Sequence, residues 1–340
     1  MRNLIPVLLL LCRAALCSGE ASPTAFAFIY FGKVLLADPS SLELRLVGTL
    51  SPAAPEVAAD PQGWIWGRLE PHHLAALDGG SGELVARVAL PHKPHSLLIA
   101  PDGRAYVTHS SRTKAGYTLS VVDTRGKTLL RELTGIAGLP SDLAQAAGFV
   151  YLAAEGVGKE DYQYSFLYQL DGTASRVREV LRLADAGYFW KLAADGDRLY
   201  LGYLPTKEDP RLGRVEIRDA RSTELLGAWE RAPGPLRGLY AAGGQVLLFC
   251  GNDGGNTELL LLDPMLRAVP QVRALQGPVA HMLGVHGSTL VYLDFPFEAG
   301  YRDVSICFYG LEAGRELGRI RIREFLLAGA GDGAARLRRR

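Results

Sequence analysis

Between Pro94 and Leu133 the chain alternates four short apolar runs with polar breaks. Ser96–Ala100 (SLLIA) is nearly all apolar, and Pro101-Asp102-Gly103 turns it back into Arg104–Thr108 (RAYVT). A longer polar stretch leads to Thr118–Val122 (TLSVV), and Asp123-Thr124-Arg125-Gly126 turns that run into Lys127–Leu133 (KTLLREL). Short runs of this kind, closed by Gly, Pro and Asp, predict strands joined by tight turns. The stretch reads as a four-stranded antiparallel unit.

The unit recurs. An Asp closes its third run at Asp38, Asp78, Asp123, Asp171, Asp219 and Asp263, with gaps of 40, 45, 48, 48 and 44 residues. A seventh unit closes at Tyr309-Gly310, where the Asp is replaced. A Pro or Gly precedes the first strand of successive units at Pro55, Pro94, Pro140, Gly187, Pro235 and Pro278. The reversal between first and second strands repeats as Pro61-Gln62-Gly63, Pro101-Asp102-Gly103, Asp195-Gly196, Gly243-Gly244 and His286-Gly287. A four-stranded unit every ~40–50 residues is the period of a β-propeller blade. The fold class predicted is therefore all-β, a seven-bladed β-propeller in one domain over residues 22–333. The first unit shows strands at Phe26–Phe31, Lys33–Ala37 and Glu43–Gly48 but no inner strand ahead of them. The apolar segment Glu324–Gly329 is expected to return as a C-terminal strand that completes the first blade and closes the ring, leaving no unpaired edges.

The two ends differ from the rest. Met1-Arg2-Asn3 is followed by the apolar run Leu4–Cys12, then Arg13, then small residues through Ala21. A positive start, an apolar stretch and a small-residue end predict a secretory signal peptide over residues 1–21. The apolar run is shorter than the roughly 20 residues that span a bilayer, so no stable membrane insertion is expected after cleavage. The expected localisation is export, to a periplasmic or extracellular space. A retained anchor or a lipoprotein at Cys17 are the alternatives. Residues 334–340 form a basic tail.

Charge is nearly balanced, 37 basic against 36 acidic residues, which argues against a nucleic-acid protein steered by a global basic field. Beyond the signal peptide only Cys250 and Cys307 remain, each in an apolar run. They are read as two buried thiols or as a single disulfide.

Tyr106-Val107-Thr108-His109, preceded by Pro101-Asp102-Gly103-Arg104 and followed by Ser120-Val121-Val122-Asp123, resembles the YVTN (YncE-like) β-propeller repeat family. The unit 94–133 carries the closest match, those ending at Asp78, Asp219 and Asp263 looser ones, and the units around 150 and 300 have diverged. The resemblance runs from Ala25 to about Ala328 and implies an exported seven-bladed propeller. Quinoprotein amine dehydrogenase heavy subunits are similar, and there the chemistry sits in a separate small subunit.

In a propeller, the segments leading into each inner strand share one face with the loops joining second and third strands. That places Glu56, His95, Asp142, Tyr188, Lys191, Arg237 and His281 near the channel mouth as candidate ligand-binding residues. Lys191 and Arg237, with Tyr188 and Trp190, suit an anionic or aromatic ligand, or inter-blade ion pairs. The second-to-third loops are long at Ser110–Gly116, Glu155–Tyr164, Leu204–Gly213, Asn252–Asn256 and Phe295–Arg302. Glu56, His95, Asp142 and His281 are the set that would hold a single divalent cation in the channel, although no cofactor is expected. Adjacent His72-His73 reads as exposed surface. No GxSxG, GxGxxG or GxxxxGK[ST] motif is present, so no nucleophile or nucleotide site is predicted. The six closing Asp residues read as structural turn caps. The expected role is an exported binding or scaffold protein for an exported protein partner or a small molecule. The alternatives are an amine-dehydrogenase-like heavy subunit and a metal-dependent hydrolase or lyase.

Overall fold

The computed structural model describes residues 25–51, 56–156, 164–171, 173, 175–184, 189–203, 213–230, 236–242, 244–251, 257–268, 270–275, 279–294 and 304–328. Residues 1–21, read above as a signal peptide, the basic tail and most of the long second-to-third loops lie outside them. The described chain folds into seven antiparallel sheets, six of four strands and one of three. The unit first read from the sequence is the third blade, with strands Pro94–Ile99, Arg104–His109, Tyr117–Asp123 and Thr128–Ile136. The other inner strands that lead their blades are Val57–Ala59, Leu139–Ala146, Phe189–Asp195, Leu236–Ala242 and Val279–His286.

Alternation explains why the middle strands read as unbroken apolar runs. In blade 3, Ala105 and Val107 pack on blade 2, whereas Tyr106 between them packs on blade 4. Successive side chains point to opposite faces, and a blade inside a ring buries both. Each of the six apolar clusters accordingly joins neighbouring blades. The outer strands face solvent and mix charge with apolar residues, Thr128–Ile136 being mostly exposed. Arg131 and Glu132 on that strand keep the edge from pairing with another chain.

The turn chemistry follows the sequence. The Asp38 carboxylate accepts the Ser40 amide at 2.8 Å, Asp78 that of Ser81 at 2.7 Å and Asp123 that of Arg125 at 3.0 Å. Asp171 accepts from Thr173 and Ser175, Asp219 from Arg221 and Ser222, and Asp263 from Met265. All six closing aspartates are turn caps. The reversal glycines hold left-handed backbone, with φ of 82° at Gly63 and 85° at Gly103, where a Cβ would strain the turn.

Blade 1 departs from the pattern in a defined way. Its strands are Phe26–Tyr30, Lys33–Asp38 and Glu43–Thr49. In blades 3–7 the ladder between second and third strands is regular, while that between first and second is bulged. The Phe26–Tyr30 ladder to Lys33–Asp38 is regular, and the next is shifted at Val34/Leu35, as third-to-outer ladders are in most blades. With Asp38 in the capping position, these three strands are second, third and outer. No described strand fills the inner position.

The expected closing strand is not formed. Residues Ile322–Ala328 are a helix. Ile322, Phe325 and Leu326 fall at i, i+3 and i+4, so they share one helical face and reach the core together, while Leu327 stays 70% exposed. That spacing suits helical rather than strand geometry. Among the described residues, ring closure comes instead from side-chain packing. Phe26, Phe28 and Val34 of blade 1 join Leu283 and Phe308 of blade 7, Val57 and Ile65 of blade 2, and Ile322 and Phe325 of the helix in a single cluster.

Cys250 and Cys307 are free and buried, in different apolar clusters. Burial pushes the Cys250 thiol up to about 12. The two-thiol reading holds and the disulfide does not form. His72 is exposed, and His73 is half-buried with Nδ1 3.3 Å from Glu70 Oε2.

Candidate functional site

Antiparallel pairing puts the start of each inner strand beside the end of its second strand. The partners include Val57↔Gly67, Pro94↔His109, Leu139↔Glu155, Leu236↔Cys250 and Val279↔Asp294. These positions ring the channel on one face.

Two candidate carboxylates at this rim are committed to the scaffold. Glu56 is buried, and its Oε2 accepts the Leu97 amide of the next blade at 2.6 Å. Asp142 is buried, and its Oδ2 accepts the Leu192 amide of the next blade at 2.8 Å. Each therefore satisfies a backbone donor on a neighbouring inner strand. Among the described residues, no three or more His, Cys, Asp or Glu side chains gather as a metal site. The fourth member of the predicted set, His281, lies on the blade 7 inner strand, and its side chain is outside the described residues, as is all of Tyr188.

The cations are arranged differently. Arg237 is half-buried over the blade 6 backbone, where a Cβ on Gly251 would meet its Nε at 2.8 Å. Its polar contact is with Thr257 Oγ1 at 3.5 Å, and burial pulls its pKa down with no carboxylate to offset it. Lys191, half-buried, makes no ion pair with a described residue. His95 is half-buried, and burial, then the charges of Lys93 and Arg68, push its pKa down.

Arg68 was not among the candidates. It lies near the end of the blade 2 second strand, is 6% exposed, and burial lowers its pKa. Its place two residues after Trp66 was a usable sign. Trp66 packs toward blade 3, so Arg68 faces the same seam.

Three other polar groups near this rim are internally satisfied or isolated. His109 and Ser120 are wholly buried, with Nε2 2.8 Å from Ser120 Oγ and Nδ1 3.3 Å from the Lys93 carbonyl. The carbonyl only accepts, so Nδ1 carries the proton and Ser120 donates to Nε2. With no solvent access, Ser120 is no nucleophile. Glu216, also buried, accepts from Tyr203 Oη at 2.8 Å, Arg218 Nε at 2.9 Å and Arg214, which is a closed network. Glu155, at the end of the blade 4 second strand, has its pKa raised by burial.

The loop 110–116 is described and carries a Thr113↔Gly116 bridge. The cores of the other four long loops lie outside the described residues. An open cleft on the opposite face, between blades 6 and 7, is lined by Gln245, Arg273, Ser288 and Glu312. None of the predicted residues reaches it.

Solved structures share the architecture. Hydrazine synthase of Kuenenia stuttgartiensis aligns with a TM-score of 0.59 at 14% identity, over 78% of this chain and 85% of that one. The computationally designed Ika8 protein aligns at 0.58 and 12%, over 90% and 89% of the two chains. The Pan2 WD40 domain of Neurospora crassa aligns at 0.56 and 10%, over 76% of each. What they share is the fold. The chain is a seven-bladed β-propeller. No family model matches its sequence, and no curated relative does. Propellers this diverse do not select an activity, so function must be argued from the rim itself.

Proposed function

We propose that this protein is an exported propeller, of the YVTN (YncE-like) repeat type, that binds a partner or small ligand at its channel-mouth face. The observation that carries this reading is the division of labour at the rim. Glu56 and Asp142 hold backbone amides of neighbouring blades, whereas Arg68 and Lys191 have no acidic partner among the described residues and Arg237 has only a long contact to Thr257. Carboxylates so engaged serve as joints between blades. Under-paired cations on a rigid ring are suited to recognition. Export rests on residues 1–21, and the repeat type on the motif at 101–123.

The test is a thermal-shift screen of the mature protein against anionic, neutral and cationic small molecules, with affinity capture of exported proteins alongside. Each hit is repeated on the double variant Lys191→Glu, Arg237→Glu and on Arg273→Glu at the opposite face. The reading expects loss in the first and retention in the second. Hits that survive the rim variant and vanish with Arg273→Glu would place binding on the other face. Fractionation of cells making the chain with and without residues 1–21 tests export.

A further inference from the structure

We propose that Arg68, Lys93 and His95, at the seam of blades 2 and 3, form a binding site for a small oxyanion, a carboxylate or a phosphate. This deepens the channel-mouth reading and rests on it. The central observation is Arg68. Its side chain is 6% exposed yet makes no hydrogen bond or ion pair with another described residue. A guanidinium held largely in the core, with no hydrogen-bonding partner among the described residues, is the arrangement of a preset ligand anchor.

The surroundings reinforce it. Lys93 is exposed on the segment leading into blade 3, and His95 stands two residues on at the start of its inner strand. The joint between the blades brings these groups together: Gly67, next to Arg68, faces Val57, next to Glu56, and the Glu56 carboxylate reaches the Leu97 amide two residues beyond His95. The charges of Lys93 and Arg68 add to burial in lowering the His95 pKa. Glu56, the carboxylate of the same seam, holds the Leu97 amide at 2.6 Å, and burial lowers the pKa of Arg68. An unpaired, largely buried guanidinium is a cost to the empty protein, and an oxyanion would remove that cost. The planar fork of Arg matches both carboxylate and phosphate, with Lys93 adding a point charge.

The experiment uses the mature protein at constant ionic strength, titrated separately with inorganic phosphate and with succinate against a chloride reference. Melting temperature and calorimetric affinity are read for the wild type and for Arg68→Met, Lys93→Ala, His95→Ala and Arg273→Glu. The wild type is expected to show saturable stabilisation. Arg68→Met should lose it, Lys93→Ala should bind about tenfold more weakly, and the opposite-face variant Arg273→Glu should keep it. Saturation by only one of the two ions identifies the class, and saturation by both supports the shared oxyanion chemistry. Without anion, Arg68→Met should melt at or above the wild type, because an uncompensated charge has left the seam. A wild type stabilised no more than by chloride overturns the proposal, as does unchanged binding in Arg68→Met. If Arg68→Met fails to fold, Arg68 is structural, and the Lys93→Ala and His95→Ala titrations decide whether a site exists. In any of these failures, binding of other molecules that Lys191→Glu, Arg237→Glu abolishes still stands for the wider rim.

Discussion

His109 makes the stability of this propeller depend on pH in a predictable window. Its ring is wholly buried between blade 3 and the segment leading into it, and burial lowers its pKa from 6.5 to about 4. The Lys93 carbonyl and Glu132 oppose that shift, whereas His92, its ring 5.6 Å away, adds to it. The unfolded chain therefore binds a proton between pH 6.5 and about 4 that the folded chain refuses. Stability is fully present above pH 6.5, falls as pH drops through the window, and levels off below about 4. At 1.36 kcal/mol per unit the contribution is on the order of 3 kcal/mol. His109→Gln retains a donor and an acceptor but does not titrate in this range. Urea midpoints of the two proteins, taken at half-unit steps from pH 7.5 to 4, isolate the term by difference. The wild type should lose about 3 kcal/mol relative to the variant across the window. Parallel curves would show that His109 ionises as it does in an open chain and would refute the reasoning, as would an imidazole titration by NMR centred near 6.5.

Glu56→Ala and Asp142→Ala should each destabilise by about 1–3 kcal/mol in urea, since each leaves a buried backbone amide without an acceptor. Glu56→Gln should recover most of the loss, and a Glu56→Ala protein of unchanged stability would sink the inter-blade role. Asp171, its carboxylate held down to about 2 by the Ser175 amide and the Thr173 hydroxyl, contributes stability that is present above pH 4 and lost as pH falls toward 2. Asp171→Asn should remove that part of the acid limb of a melting-temperature profile. Cys250 and Cys307 should resist maleimide in the folded protein and react on unfolding, as read by mass spectrometry. Phe26→Ala, which empties the seam between blades 7 and 1, should cost about 3–5 kcal/mol in chemical denaturation.

The repeat was legible because strand, turn and cap use separate residue types at one period. Gly103 takes the left-handed turn, Asp123 caps the next, and Tyr106 and Val107 serve opposite neighbours, so each position reports its place without tertiary knowledge. The end of the chain was not legible for the opposite reason. Glu324-Phe325-Leu326-Leu327-Ala328 is apolar at consecutive positions, and such a run suits a doubly buried strand as well as a helix flank. What decided it was Ile322, two residues before the segment considered. With Phe325 and Leu326 it forms a helical face, and Arg321 pairs with Glu324 at 2.8 Å across the first turn. The missing inner strand of blade 1 was legible because no apolar run precedes Phe26–Phe31 within the unit, whereas the role of the chain's end depends on how the helix packs.

The rim shows why residue type and position alone misjudge a site. Glu56 and Asp142 stood out because carboxylates beside a channel can bind metal or move protons. Both instead bridge blades, for a reason built into the ring. Bulges near the starts of the inner strands pull amides out of the ladder register, as between Pro94 and Leu97 in blade 3. Leu97 is the residue whose amide Glu56 holds. Blade 4 repeats the device, with a bulge between Phe189 and Lys191 in blade 5 and the Leu192 amide held by Asp142. A bulged strand next to a carboxylate from the preceding blade is thus a structural joint, and it turns carboxylates of the mouth to backbone amides. The cations there lose their obvious partners. Arg68 escaped notice because an Arg inside Trp66-Gly67-Arg68-Leu69 looks like an ordinary strand residue, and its significance depends on which carboxylates the joints have already engaged. The joints that tie the blades together thus turn Glu56 and Asp142 to backbone amides, and that same arrangement leaves Arg68 prepared to meet an anion.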